Sequence, residues 1–143
     1  MPDLPPFPFQ HTQEVIFRDV DMLGHVNHAQ YFTYFEAARM KFLMNFFTND
    51  QQPWPVILVR ASCDYKAPAF LGDLLTIHVG VSRWGNTSFT ITYRCDRTDT
   101  TLATAETTLV MYDYATEKPF PIPKAFRERI ETFQSGWQLP VTG

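Results

Sequence analysis

The chain has 143 residues, 45% of them hydrophobic, and a formal net charge of −3. That is the size of one domain with room for a sizeable core, and the mild acidic balance without a basic stripe argues against a nucleic-acid binder. No apolar run approaches the ~18 residues of a membrane span.

Residues 1–10 hold Pro2, Pro5, Pro6 and Pro8 and lack a basic n-region and an apolar h-region. They read as an extended lead-in and not as a signal peptide, so a cytoplasmic protein is expected. Thr12 to Arg18, with Val15, Ile16 and Phe17, reads as a first strand. A turn-like segment, Asp19 to His28, follows with Gly24 and Asn27.

From Ala29 to Phe47 there is neither Gly nor Pro, and helix formers fill the middle. At 100° steps Phe35, Phe42 and Phe46 share one face, Phe32, Leu43 and Phe47 lie beside it, and Ala37, Met40 and Met44 lie behind. A helix apolar nearly all round is a buried helix. Asn27 suits its N-cap, with Gln30 completing a capping box. The phenylalanines, with Phe17 just upstream, supply either a bulky core or an apolar tunnel for an acyl or aryl group.

Thr48 to Pro55 is a polar loop. Strands are expected at Val56 to Tyr65, Leu74 to Trp84, Thr87 to Asp96 and Leu102 to Tyr114. Leu75, Ile77, Val79 and Val81 alternate with polar or small residues in the second of these, and Phe89, Ile91, Tyr93 and Cys95 do so in the third. Gly85-Asn86 and Arg97 to Thr100 are hairpin connections. Pro119, Pro121 and Pro123 precede a short amphipathic helix, Lys124 to Phe133, and a tail over 134–143. One α+β domain spanning 1–143 is expected, an antiparallel sheet around one long helix. Its open edge invites a second copy. Cys63 and Cys95 are in no CxxC pair and no zinc-like spacing, and are expected reduced and buried.

Ionisable groups concentrate in Arg18-Asp19-Val20-Asp21-Met22-Leu23-Gly24-His25-Val26-Asn27, just before the long helix. Peptide N–H groups at a helix start can stabilise an oxyanion, and a neighbouring carboxylate can attack a carbonyl or activate water. Asp19 and Asp21 as plain turn residues, and His25 as a backbone-bonded histidine, are the competing readings.

The run from Phe17 to Phe42 resembles the signature of the 4-hydroxybenzoyl-CoA thioesterase family: an Asp three residues before a Gly, then His-Val-Asn, then an aromatic-rich helix with Glu and Arg. The likeness continues at Asp64-Tyr65-Lys66-Ala67-Pro68, Leu71-Gly72-Asp73 and Gly85-Asn86-Thr87-Ser88, and covers about residues 12–133. It implies a hotdog fold, an antiparallel sheet wrapped around one long central helix. It also implies a homodimer or homotetramer with active sites between subunits, and hydrolysis of an acyl-CoA, aliphatic or aromatic, to free acid and coenzyme A. The family's catalytic carboxylate falls on Asp21, as nucleophile or general base. His25, Asn27, Tyr31 and Glu36 are candidates for the surrounding shell, though Glu36 with Arg39 also reads as a satisfied polar pair. Arg60, Tyr65, Lys66, Arg83 and Ser88 are candidates for the coenzyme A side. No metal and no cofactor beyond the substrate's coenzyme A is expected. A dehydratase of the same fold, or a non-catalytic acyl-thioester-binding or scaffolding protein, is the rival reading. The chain has no Gly-x-Ser-x-Gly elbow, which excludes an α/β-hydrolase.

Overall fold

The computed structural model describes residues 6–137. Strands β1 (Phe9–Glu14), β2 (Val56–Tyr65), β3 (Leu74–Trp84), β4 (Ser88–Arg97) and β5 (Thr100–Asp113) form one antiparallel sheet in the order β1-β3-β4-β5-β2, with the short β6 (Lys118–Pro119) paired to the end of β5. Helix α1 (Gln30–Leu43) crosses one face of this sheet, and helix α2 (Lys124–Gln134) closes the end of the core.

The period-two pattern places the core as expected. Leu75, Ile77, Val79 and Val81 of β3 and Phe89, Ile91, Tyr93 and Cys95 of β4 all point inward and are buried. Phe35 of α1 meets Tyr93 at 5.0 Å between ring centroids, and Phe42 meets Phe9 of β1 at 5.6 Å. Burying one such side chain is worth about 1.5–3 kcal/mol, so these rows fix the helix against the sheet.

Three expectations are corrected. The first strand begins at Phe9, inside the expected lead-in, and ends at Glu14. Its partners run from Val79 to Leu74, and the chain then leaves the ladder, with Val15 N–H bonded to Asp73 O and a 3-10 turn over Phe17–Asp19. The long helix stops at Leu43, and its last carbonyls are taken up beyond it: Phe42 O accepts from Asn45 N–H and, at 2.9 Å, from Asn45 Nδ2, and Leu43 O accepts from Phe46 and Phe47 N–H. Phe46 and Phe47 lie past its end, yet both are buried, Phe47 stacking on Trp54 and on Phe126. Nor is α1 buried all round within one chain: Tyr31, Tyr34, Phe35, Ala38 and Phe42 face the sheet, whereas Phe32, Met40 and Met44 are exposed.

Asn27 is not the N-cap: that position is Ala29, which makes no side-chain capping bond, and the capping box with Gln30 does not form. Asn27 Oδ1 accepts from Ala29 N–H, but the backbone N–H of Asn27 donates to Asp19 O and not to Gln30. Arg39 is buried and donates to the Tyr93 hydroxyl at 3.3 Å. Its approach to the exposed Glu36 is loose, at 4.0 Å. Both cysteines are unpaired; Cys95 is buried and Cys63 only half-buried.

Residues 134–137 do not form the start of a free tail. The Gln134 amide accepts from Val81 N–H at 2.6 Å and donates to Val81 O at 3.1 Å, continuing the β3 ladder past the end of β1. Trp137 then lies on the outer face of the sheet over Gly80, where an added Cβ would stand 2.5 Å from the indole ring. The rest of the expected tail, residues 138–143, lies outside the described residues.

Candidate active site

Residues 20–26 form a tight loop closed by the Val20–Val26 bridge, with Asp21 N–H bonded to His25 O and Gly24, at φ 89°, bonded through its N–H to Asp21 O. A positive φ suits glycine, so the Gly of the motif has a geometric reason. This loop separates the two aspartates. Asp19 is buried, and its Oδ2 accepts from the Tyr34 hydroxyl at 2.7 Å and from Ile16 N–H at 3.2 Å. Asp21 is half-buried; its Oδ1 accepts from Leu23 N–H at 2.9 Å and its Oδ2 from Asn27 Nδ2 at 3.2 Å. Asp21 does take the turn role weighed against it, and keeps an open carboxylate while doing so.

Asp21 lines a cavity of about 390 Å³ together with Leu23, His25, Val26, His28, Tyr31, Tyr65, Ala67 and Pro68. The cavity lies where the start of α1 meets the end of β2, and two long-range bonds hold them together. Tyr65 donates to His28 O at 2.6 Å, and Val26 N–H donates to Ala69 O at 2.9 Å. Tyr31 and Tyr65 pack edge to face at 5.2 Å. Burial pushes both phenols up to about 12, with Cys95 and Cys63 adding to the effect at Tyr31 and Cys63 at Tyr65. Both therefore remain protonated donors at neutral pH. Of the amides after Asn27, those of Ala29 and Gln30 are taken by Asn27 itself, while that of His28 meets no acceptor among the described residues. His28 and Asp21 line the same cavity, and an N–H without a partner together with a carboxylate is the pair of groups acyl transfer uses.

Of the shell candidates, His25, Asn27 and Tyr31 gather here; His25 Nδ1 lies 3.2 Å from Val26 O. Glu36 is exposed on α1 and is not part of the cavity wall. Of the coenzyme A candidates only Tyr65 lines the cavity, and Lys66 is the exposed residue after it. Arg60 and Arg83 sit on the sheet's other face, in one row through Thr108 and Thr90, and Arg83 pairs with Glu106 at 3.9 Å. Ser88 belongs to the β3–β4 hairpin, its carbonyl accepting from Gly85 N–H. Within one chain these three do not reach the Asp21 cavity. No phenylalanine lines it either: Phe35, Phe42, Phe46 and Phe47 are core, and Phe17 and Phe32 are exposed. His28, which residue type alone did not single out, is found from its place directly after Asn27 at the helix start.

The model of the thioesterase-like superfamily matches residues 15–130. The chain belongs to that superfamily. Among its relatives, acyl-CoA thioester hydrolase YbgC of Escherichia coli is 30% identical over 122 residues, covering 82% of this chain and 91% of that protein. The 1,4-dihydroxy-2-naphthoyl-CoA hydrolase of Nostoc punctiforme is 30% identical over 132 residues, covering 87% of each chain. A thioesterase from Thermus thermophilus, crystallised with coenzyme A and Zn, superposes with a TM-score of 0.85 at 28% identity, over 96% of this chain and 100% of that one. The fold of this superfamily member is the hotdog arrangement. Among its described residues no cluster of three or more His, Cys, Asp or Glu could hold a metal ion, and no helix is long and apolar enough to cross a membrane.

Proposed function

We propose that Asp21 is the catalytic carboxylate of an acyl-CoA thioester hydrolase, and that the cavity beside it receives the thioester. The observation that carries this reading is Asp21 lining a 390 Å³ cavity set against the start of α1. The carboxylate either attacks the thioester carbonyl, giving an anhydride that water cleaves, or takes a proton from the attacking water. In both cases the thiolate of coenzyme A leaves and is protonated. The His28 N–H and the dipole of α1 favour the oxyanion. His25, Asn27, Tyr31 and Tyr65 shape the cavity, and no cofactor beyond the substrate's coenzyme A enters the scheme.

The reading extends to a cytoplasmic homodimer or homotetramer. Edge strand β2 is exposed along most of its length, with Leu58 and Val59 about half exposed. The open side of α1 carries Phe32 and Met40. An unpaired apolar edge favours pairing with a second copy, and unpaired thiols fit a reducing compartment. A second copy would also bring the distant Arg60, Arg83 and Ser88 of one chain within consideration for substrate held by the other.

The test is thiol release from a panel of aliphatic and aromatic acyl-CoAs by the parent protein, Asp21→Asn and Asp21→Ala. Turnover by the parent and a loss of at least ~100-fold in both variants, with folding unchanged, is expected for an essential carboxylate. Full turnover by Asp21→Ala would remove the assignment; binding without release would make the protein a carrier.

A further inference from the structure

Asn27 stands between Asp21 and the start of α1, and its side-chain amide joins them. Oδ1 accepts from Ala29 N–H at 2.9 Å, and Nδ2 donates to Asp21 Oδ2 at 3.2 Å. The two partners orient the amide the same way, because reversing it would set N–H against N–H and oxygen against carboxylate. The backbone of Asn27 is held as well, its N–H by Asp19 O and its C=O by Gln30 N–H. Holding Ala29 N–H, the residue just before α1, needs only an oxygen, and Ser, Thr or Asp would supply one. The Nδ2 donor is not required for that bond, and its partner is Asp21.

We propose that Asn27 is a positioning residue that fixes the direction of the Asp21 carboxylate relative to the first amides of α1 through one planar group. The inference rests on Asp21 being the catalytic carboxylate. Leu23 N–H holds Oδ1 and Asn27 holds Oδ2, so two donors in different directions suppress rotation of the carboxylate. With one donor gone, the carboxylate swings about its last bond while the helix start remains in place. Reactions that depend on orientation lose rate, not affinity, from such freedom.

Asn27→Ser and Asn27→Asp separate this role from the bond to Ala29 N–H, with Asp21→Asn alongside. Both substitutions keep an oxygen for Ala29 N–H, so the melting temperature stays within a few degrees of the parent. Asn27→Ser replaces the Nδ2 donor with a hydroxyl about one bond shorter, which cannot serve Ala29 N–H and reach Asp21 Oδ2 together; kcat falls roughly 10- to 100-fold with KM within about 2-fold. Asn27→Asp places a second carboxylate against Asp21, and the acid limb of the kcat/KM profile moves to higher pH. The other titratable groups lining the cavity, His25, His28, Tyr31 and Tyr65, are the same in all forms, so that movement reports the pair. Parental kcat and pH profile in Asn27→Ser, or losses that only track lost folded protein, overturn the proposal. If Asp21→Asn is inactive while Asn27→Ser is normal, only the role of Asn27 falls. If Asp21→Asn is itself active, the catalytic assignment falls and takes this inference with it.

Discussion

The Tyr34 hydroxyl donates to Asp19 Oδ2 at 2.7 Å, tying α1 to the turn that leads into the candidate site. Asp19 and Asp21 are two residues apart, yet one is committed to this buried bond and the other lines a cavity. Tyr34→Phe should therefore lower stability by about 1–3 kcal/mol, the cost of leaving a buried acceptor without its partner. It should leave KM for acyl-CoA nearly unchanged. Urea unfolding with parallel steady-state kinetics checks both.

Tyr31 gives a pH dependence with a definite sign. Its phenol is raised by burial from 10.0 to about 12. Between those values the unfolded chain loses the proton and the folded chain keeps it, so folding stability falls as pH rises through that window. The Tyr31 share of the loss should set in near pH 10, above the share of Cys95 that starts near 9.0, and should be missing in Tyr31→Phe. Denaturant midpoints at a series of alkaline pH values, for parent and variant, measure it.

The cysteines should answer differently to a thiol reagent. Burial pushes the Cys95 thiol up to about 12, with Asp96 and Cys63 adding to it, and raises the half-buried Cys63 as well. In the folded protein Cys95 should be silent and Cys63 slow, and both of the chain's two cysteines should react in denaturant. Mass spectrometry after timed alkylation resolves the order, and Cys63→Ser should abolish the slow native reaction.

Gly80 should tolerate no larger residue while Trp137 is in place. An added Cβ would stand 2.5 Å from the indole, and overpacking of this kind costs about 1–3 kcal/mol. Gly80→Ala should be destabilised and should shift tryptophan fluorescence to longer wavelength as the indole is expelled. Adding Trp137→Ala should recover part of the loss from Gly80→Ala. Additive losses in the double variant would contradict the contact.

The sheet was the most legible part of the sequence, because β3 and β4 keep apolar residues on alternate positions almost without exception. β1 was hidden because its inward positions beyond Phe9 are His11 and Gln13, so its register carries little hydrophobic signal. The end of α1 was hidden because Phe46 and Phe47 continue an apolar pattern that belongs to the core, not to the helix. At the site, turn propensity cannot separate Asp19 from Asp21, since the difference lies in a bond from Tyr34, 15 residues on. The family motif did separate them. Neither the Asn27 bridge nor the His28 amide follows from composition, because both depend on how the loop closes on the helix.

The Gln134 amide has one further consequence. It satisfies the backbone of Val81 as a neighbouring chain would, but a side chain ends after a single rung. It offers no continuing row of peptide groups for a stranger to dock against. Where it lies, that length of β3 is a dead end for edge-to-edge aggregation, finished by one residue and not by another strand.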